Sequence, residues 1–469
     1  MLRIFDDNRR FNRRAMLQIG GLGLSGMSLA NLLAARSLAS GTGKPITTGK
    51  SVIFLLQHGG PTQFETFDPK PDAPDSIRTV GGVTSTASPG MQFGASMSQL
   101  AKLADKLAVV RSYATNSSAH SIRPIVSEAS RQANIGAIYS RLAGANHPTS
   151  GMPRNVTLFP KAVLADGQGP ETRFGDFNST GNLGRGAEPF SPGGGSNLQK
   201  DMQLSIPSGR LDDRRNLLAS LDQLRAEADR TGGMEGVDKF REQAYDMVFK
   251  GVADAFDLSK EDPRTIARYD TAAHLHERSY YAGKTNGNDQ RNWYQENARS
   301  LGKLLLLARR LCEAGCGFVT VTTRFVWDMH ADANNLGVDR GMEAVGLPYD
   351  HAVAAFIQDC EERGLGNDIL LVSTGEMGRT PKINARGGRD HWGGLTPMLL
   401  YGGGLTHGQT IGQSTRDGGQ PAVDACNTDN LIATIMHTLF DVGELRIRQG
   451  LPVDLVRMVG SGEPIPGLF

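Results

Sequence analysis

Short apolar runs that end in polar or glycine-rich clusters recur along the chain. They are "SVIFLLQHGG" from Ser51, "LAVVRSYAT" from Leu107, "NVTLFP" from Asn155, "GFVTVTTRF" from Gly317, "DILLVSTGE" from Asp368 and "PMLLYGGG" from Pro397. Continuous rather than alternating apolar runs are what strands buried on both faces require. Between them lie stretches with apolar positions at helical spacing: "SQLAKLADKL" from Ser98, "HAVAAFIQDCEERG" from His351 and "TDNLIATIMHTLFDVG" from Thr428. Strands alternating with helices predict an α/β fold, a mostly parallel sheet sandwiched by helices. From about Ser208 to Ala314 the alternation stops. That stretch is charged, helix-patterned and free of strand signals, as in "LDDRRNLLASLDQLRAEADR", and predicts a helical insertion on the sheet edge or over the site.

The N-terminus has a different pattern. "NRRAMLQIGGLGLSGMSLANLLAA" pairs Arg13 and Arg14 with a glycine-rich, mildly apolar stretch, and small residues follow at Ser37 and Ala39. This predicts a twin-arginine export signal over residues 1–39, ahead of one α/β domain over residues 40–469. A membrane anchor is the competing reading, but the stretch is short and interrupted by Gln18 and Asn31. No later run is long enough to span a bilayer. The expected destination is the periplasm or cell envelope, and the expected first partner is the twin-arginine translocation machinery.

Composition narrows the class. Hydrophobic residues make up 39% of the 469, enough for a sizeable core. The net charge of +1 has no basic excess of the kind a nucleic-acid partner requires. Four scattered cysteines, Cys312, Cys316, Cys360 and Cys426, form neither a disulfide framework nor a zinc ribbon, and read as small buried apolar residues.

In open parallel sheets, ligands bind beyond the carboxyl ends of the strands, so the polar clusters that follow the apolar runs are candidates for one site. In "VTTRFVWDMHADANN", Asp328 and His330 alternate along an extended segment, so both can point one way and bind a divalent cation; a solvated Asp-x-His loop is the plainer reading. In "LLVSTGEMGRTPKIN", Glu376 can ligate metal and Arg379 can grip an anionic oxygen, or the two can satisfy each other. In "GGRDHWGGLTP", His391 can offer a ring nitrogen, with Asp390 and Trp392 beside it and glycines on both sides. In "QHGGPTQFETFDPKPDAP", His58 ends the first run and Glu65 follows, either as part of the site or as a brace. This mix of histidines and carboxylates suits zinc, manganese or iron and is too nitrogen-rich for a calcium cage.

"GGPTQFETFDPKPDAP", "KLAVVRS", "WDMH", "GEMGRTPKIN" and "GRDHWGG", in that order from about Ser51 onward, closely resemble the secreted family known as domain of unknown function 1501. That family resembles a branch of the alkaline phosphatase and sulfatase superfamily. The resemblance implies a mixed, mostly parallel sheet between helices and a metal-dependent hydrolase of phosphate or sulfate esters, acting on a small-molecule or glycan ester. Asp328 and His330 resemble the first-metal pair, and His391 resembles a later single histidine. His58 stands where a metal-binding aspartate is usual, and Glu376-Met377-Gly378 replaces an Asp-His-Gly turn. The nucleophile is implied at a helix start within "RSYATNSSAHSIRP", with Ser117 and Ser118 as candidates and His120 as base or ligand; the same residues are ordinary helix caps. The formylglycine pattern of sulfatases is absent. Arg379 is expected to steady developing negative charge. The altered positions also leave open a non-catalytic binding or structural envelope protein on a decayed hydrolase fold.

Overall fold

All six apolar runs become strands of one sheet because their side chains are buried on both faces, as in Ser51–Leu56, where every residue is buried. We describe the protein from a computed structural model covering residues 44–193, 252–275 and 290–469, with the short strand pair Phe5–Asp6 and Arg9–Arg10. The expected export signal, those four residues apart, lies outside the described residues. So do residues 208–251 and 276–289 of the expected insertion.

The strands of the central sheet and of the hairpin beside it, in chain order, are β1 (Ser51–Leu56), β2 (Leu107–Val110), β3 (Asn155–Leu158), β4 (Phe318–Thr322), β5 (Ile369–Thr374), β6 (Gly378–Ile383), β7 (Arg389–Trp392), β8 (Met398–Gly402) and β9 (Gln409–Ile411). Seven form the central sheet in the order β9-β2-β8-β5-β1-β4-β3. Every neighbouring pair is parallel except those made by β8, which runs against both β2 and β5. The α/β expectation holds, with this one reversal. The register sets Leu56 beside Thr322 and Thr374, and Met398 beside Thr374 and Val110. The exits of β1, β2, β4 and β5 therefore share one end of the sheet with the entry to β8. That is how residues just before Met398 reach a site built from strand ends.

Alternate residues of β1 feed two core layers. Ile53 and Leu55 pack with Leu304, Leu307 and Leu311 of α2 (Gln290–Glu313) and with Val353 and Phe356 of α3 (Leu347–Glu362). Val52, Phe54 and Leu56 pack with α1 (Ile135–Ala143), α4 (Thr428–Leu439) and α5 (Val453–Ser461) through Ile138, Leu431, Ile435 and Val459. Each fully buried aliphatic or aromatic side chain is worth about 1.5–3 kcal/mol. Asn427 starts α4 with a reciprocal capping box, accepting from Asn430 N while its own N–H is taken by Asn430 Oδ1.

A buried ionic cluster ties residues 252–275 to this frame. Arg309 of α2 reaches Glu261 at 2.5 Å and Asp359 of α3 at 3.0 Å, and the Tyr269 hydroxyl donates to Asp359 at 2.9 Å. All four cysteines are free and buried. Among the described residues no helix is long and apolar enough to cross a membrane.

One further hairpin lies outside the central sheet. Glycine-rich "GRTPKINARGGRDHW" folds as the antiparallel hairpin β6–β7, with Arg379 opposite His391. Its tip lies against the β4 exit: a Cβ on Gly388 would come within 2.3 Å of the His330 carbonyl carbon, so only glycine admits that approach.

Candidate functional site

Four chain segments meet at the shared sheet end. The exit of β1 is bound to the exit of β4, because the backbone N–H groups of Val326 and Trp327 both donate to the His58 carbonyl, at 3.2 and 3.1 Å. The approach is close: a Cβ on Gly59 would stand 2.6 Å from Asp328 N. This seats Asp328, 4% exposed, at the centre. The hairpin delivers Arg379 and His391 from paired positions, Nη2 at 2.8 Å and Nε2 at 3.2 Å from Asp328 Oδ1. His330 Nε2 lies 2.9 Å from Oδ2. His120 approaches Oδ2 at 3.5 Å from the loop after β2. Two hydrogen bonds place that loop: Asn116 N donates to Gly393 O, and Gly393 N donates to Ser118 Oγ, both at 2.9 Å.

Burial opposes charge on Asp328, but the neighbouring imidazoles of His120, His330 and His391 and the Arg379 charge outweigh it, so its carboxyl stays well below the usual range. His120 has the reverse balance. Burial lowers its pKa, yet the Asp328 and Glu376 carboxylates beside it raise it overall.

Glu376, fully buried, accepts Gly59 N at 2.9 Å and faces His120 Nδ1 at 3.1 Å. A carboxylate cannot donate, so the Nδ1–H of His120 donates to it. In its neutral form the ring then turns an Nε2 lone pair toward the Asp328 carboxylate. That nitrogen is buried and has no hydrogen-bond partner. Two facing acceptors need a proton or a cation between them. Ligand atoms of His120, Asp328 and His391 all lie within 4.8 Å of one another. Two imidazoles and a carboxylate at that spacing fit a borderline divalent ion.

The other expected residues lie around this cluster. Arg379 is fully buried, and its guanidinium donates to the carbonyls of Gly59, Gly60, Trp327 and Arg389 as well as to Asp328. Glu65 pairs with buried Arg389 at 2.9 Å and stays away from Asp328. Asp390 points to the exposed face of β7, as strand alternation from His391 dictates, and accepts from Asn384, which also donates to the His330 carbonyl. Trp392 donates its indole N–H to Gly419 O. His58 lies beneath the cluster among Phe174, Phe177 and Phe325, and burial lowers its pKa. The expected helix start at Ser117 and Ser118 is corrected: the stretch is extended loop with Asn116 at a φ of 53°, and its bonds to Gly393 take the place of a helix cap. Phe174 and Phe325, given no role from sequence, pack on His120 with ring centroids at 5.4 and 4.3 Å.

The family model described as "Protein of unknown function (DUF1501)" matches residues 49–469. No curated protein matches the chain in sequence. Among solved structures, the PsFucS1 sulfatase from Pseudoalteromonas sp. overlays with a TM-score of 0.36 at 11% identity, covering 86% of this chain and 69% of that one. The phosphonate monoester hydrolase SpPMH from Silicibacter pomeroyi gives 0.34 at 11% identity, covering 88% and 77%. At such values neither overlay transfers a residue's role.

Proposed function

We propose, from the premise that this chain belongs to the family described as protein of unknown function DUF1501, that it is an exported, metal-dependent hydrolase of phosphate or sulfate esters. One observation carries the reading: three imidazoles converge on the buried Asp328 carboxylate, and Glu376 fixes the orientation of one of them. Asp328 and Glu376 bring two carboxylates against the single guanidinium of Arg379. With neutral histidines the cluster is net negative, which suits a divalent cation of the zinc, manganese or iron type.

His120, Asp328 and His391 would hold that ion. Once bound, it would polarise an ester oxygen and make a hydroxyl or water a stronger nucleophile near neutral pH. The chain's own groups do the rest. Glu376 keeps the proton on His120 Nδ1. Arg379 holds Asp328 in place from the protein side, a positioning role in place of the charge-steadying one expected from sequence. His391, with its side chain 32% exposed, opens the cluster to substrate, while Phe174 and Phe325 keep water from the back of His120. Ser117 and Ser118 remain the hydroxyl candidates, and His330 orients Asp328. Residues 1–39 would direct export to the periplasm or envelope.

A second reading, a non-catalytic binding protein on a decayed hydrolase fold, draws support from the same Arg379, whose donors are all turned inward. The two separate in one experiment. Purified protein is analysed for bound metal and assayed with aryl phosphate and aryl sulfate esters across zinc, manganese and iron. The hydrolase reading expects turnover that tracks metal content. Full metal occupancy with no turnover of either ester supports the binding protein.

A further inference from the structure

The tripeptide Thr-Arg-Phe occurs twice, at Thr172–Phe174 and at Thr323–Phe325. The fold brings the copies together. Phe174 and Phe325 stack with centroids 4.7 Å apart and planes 28° from parallel, and both rings also pack on His58 and His120. Their arginines meet on one carboxylate. Arg173 grips Glu171 through Nε at 2.9 Å and Nη2 at 3.2 Å, and Arg324 Nη2 reaches the same group at 3.3 Å. Arg324 also lies over the Trp293 ring at 4.7 Å.

This arrangement is incompletely satisfied. Arg324 Nε is buried without a partner, and so is Nδ2 of Asn297, whose Oδ1 holds the Thr323 hydroxyl at 2.7 Å. Unmade bonds from buried donors cost free energy, more so for a charged donor. Glu296, a second carboxylate within reach of the Arg324 charge, accepts Gln168 N on Oε1, while its Oε2 is buried without a partner. Two guanidiniums on Glu171 form a rim beside the half-buried Phe174 ring, with Phe325 buried behind it. Neither guanidinium contacts Asp328, so the rim stands beside the imidazole cluster and not within it.

We infer that Arg173 and Arg324 form a subsite for a second anionic group of the substrate, one other than the ester being cleaved, and that the half-buried Phe174 ring, backed by Phe325, takes the ring carrying both groups. This rests on the hydrolase reading and narrows its substrate to a ring compound with two negative groups, such as a sugar bearing two phosphates or sulfates. Guanidinium forks match tetrahedral oxyanions, and Glu171 keeps both forks aligned while the subsite is free.

The test uses full-length, metal-loaded protein and calorimetric binding of glucose 1,6-bisphosphate and glucose 1-phosphate. Wild type is expected to favour the bisphosphate by about tenfold or more, the scale of one charge-assisted bond. Arg324→Gln and Arg173→Gln should each reduce that preference, leaving metal content and monophosphate affinity in place, and Arg324→Lys should restore part of it. Arg173, at 55% side-chain exposure, is the arm that decides if the Arg324 variant fails to fold. Equal affinity for the two sugars in wild type, no binding of either, or a preference that survives loss of both arginines overturns the inference. Ester turnover is read separately: a lost preference in an inactive protein sinks the hydrolase and keeps the subsite.

Discussion

His120 donates its Nδ1 hydrogen to Glu376 across 3.1 Å, and that bond turns its Nε2 toward Asp328, 3.5 Å away. Removing the charge of Glu376 while keeping its shape tests this orientation directly. Glu376→Gln can present its amide N–H to His120 and so release the ring tautomer. Metal affinity should fall about tenfold to a hundredfold, as measured by competition with a chelating dye. An unchanged affinity would detach Glu376 from the site.

Arg379→Lys separates positioning from catalysis. Lysine cannot reproduce the fork that spans the carbonyls of Gly59, Gly60, Trp327 and Arg389. The variant should lose at least about 2 kcal/mol of stability in urea unfolding, and metal retention should fall with it. Intact stability with only kcat reduced would instead mean that Arg379 acts on the reacting group.

Gly388→Ala forces a methyl group to within 2.3 Å of the His330 backbone. The hairpin has to lift, carrying His391 away from Asp328. The expected cost is about 1–3 kcal/mol, together with weaker metal binding, read from thermal melts with and without added zinc. A variant with wild-type melting and a wild-type zinc response would show that the hairpin tip does not set the site.

Glu261 sets part of the pH dependence of stability. Burial opposes its charge, but Arg309 and Arg310 hold its carboxyl down to about 2. The folded value lies below the unfolded one, so the contribution is complete above about pH 4.5 and is lost as pH falls toward 2. Glu261→Gln should therefore be less stable than wild type by about 2–3 kcal/mol at neutral pH, with the gap closing between pH 4.5 and 2 in denaturant titrations. A gap that stays constant through that range would refute the linkage.

The strands were legible because their side chains are buried on both faces, which leaves uninterrupted apolar runs such as "VIFLL" and "ILLV". The edge strand Gln409–Ile411 was not, because three residues paired on one side leave too short a signal. The hairpin was missed for another reason: "GRTPKIN" and "RDHW" are polar, and their pairing is driven by the site they pack against. Asp328, His330, Glu376 and His391 stood out as polar groups at strand exits. Arg379 stood out too, but its role depends on backbone carbonyls, which leave no trace in residue types. Ser117 and Ser118 carried the signature of a helix cap, yet no helix starts there: the Gly393 N–H donates to Ser118 Oγ and the Gly393 carbonyl accepts from Asn116 N.

The reversed strand Met398–Gly402 has a consequence for synthesis. It enters the sheet where its neighbours leave, next to the site, and His391 just before it is the last of the convergent side chains to emerge from the ribosome, long after His120. A chain stopped short of that histidine has an incomplete donor set, so an ion retained by all three donors would require that translation ran past residue 391.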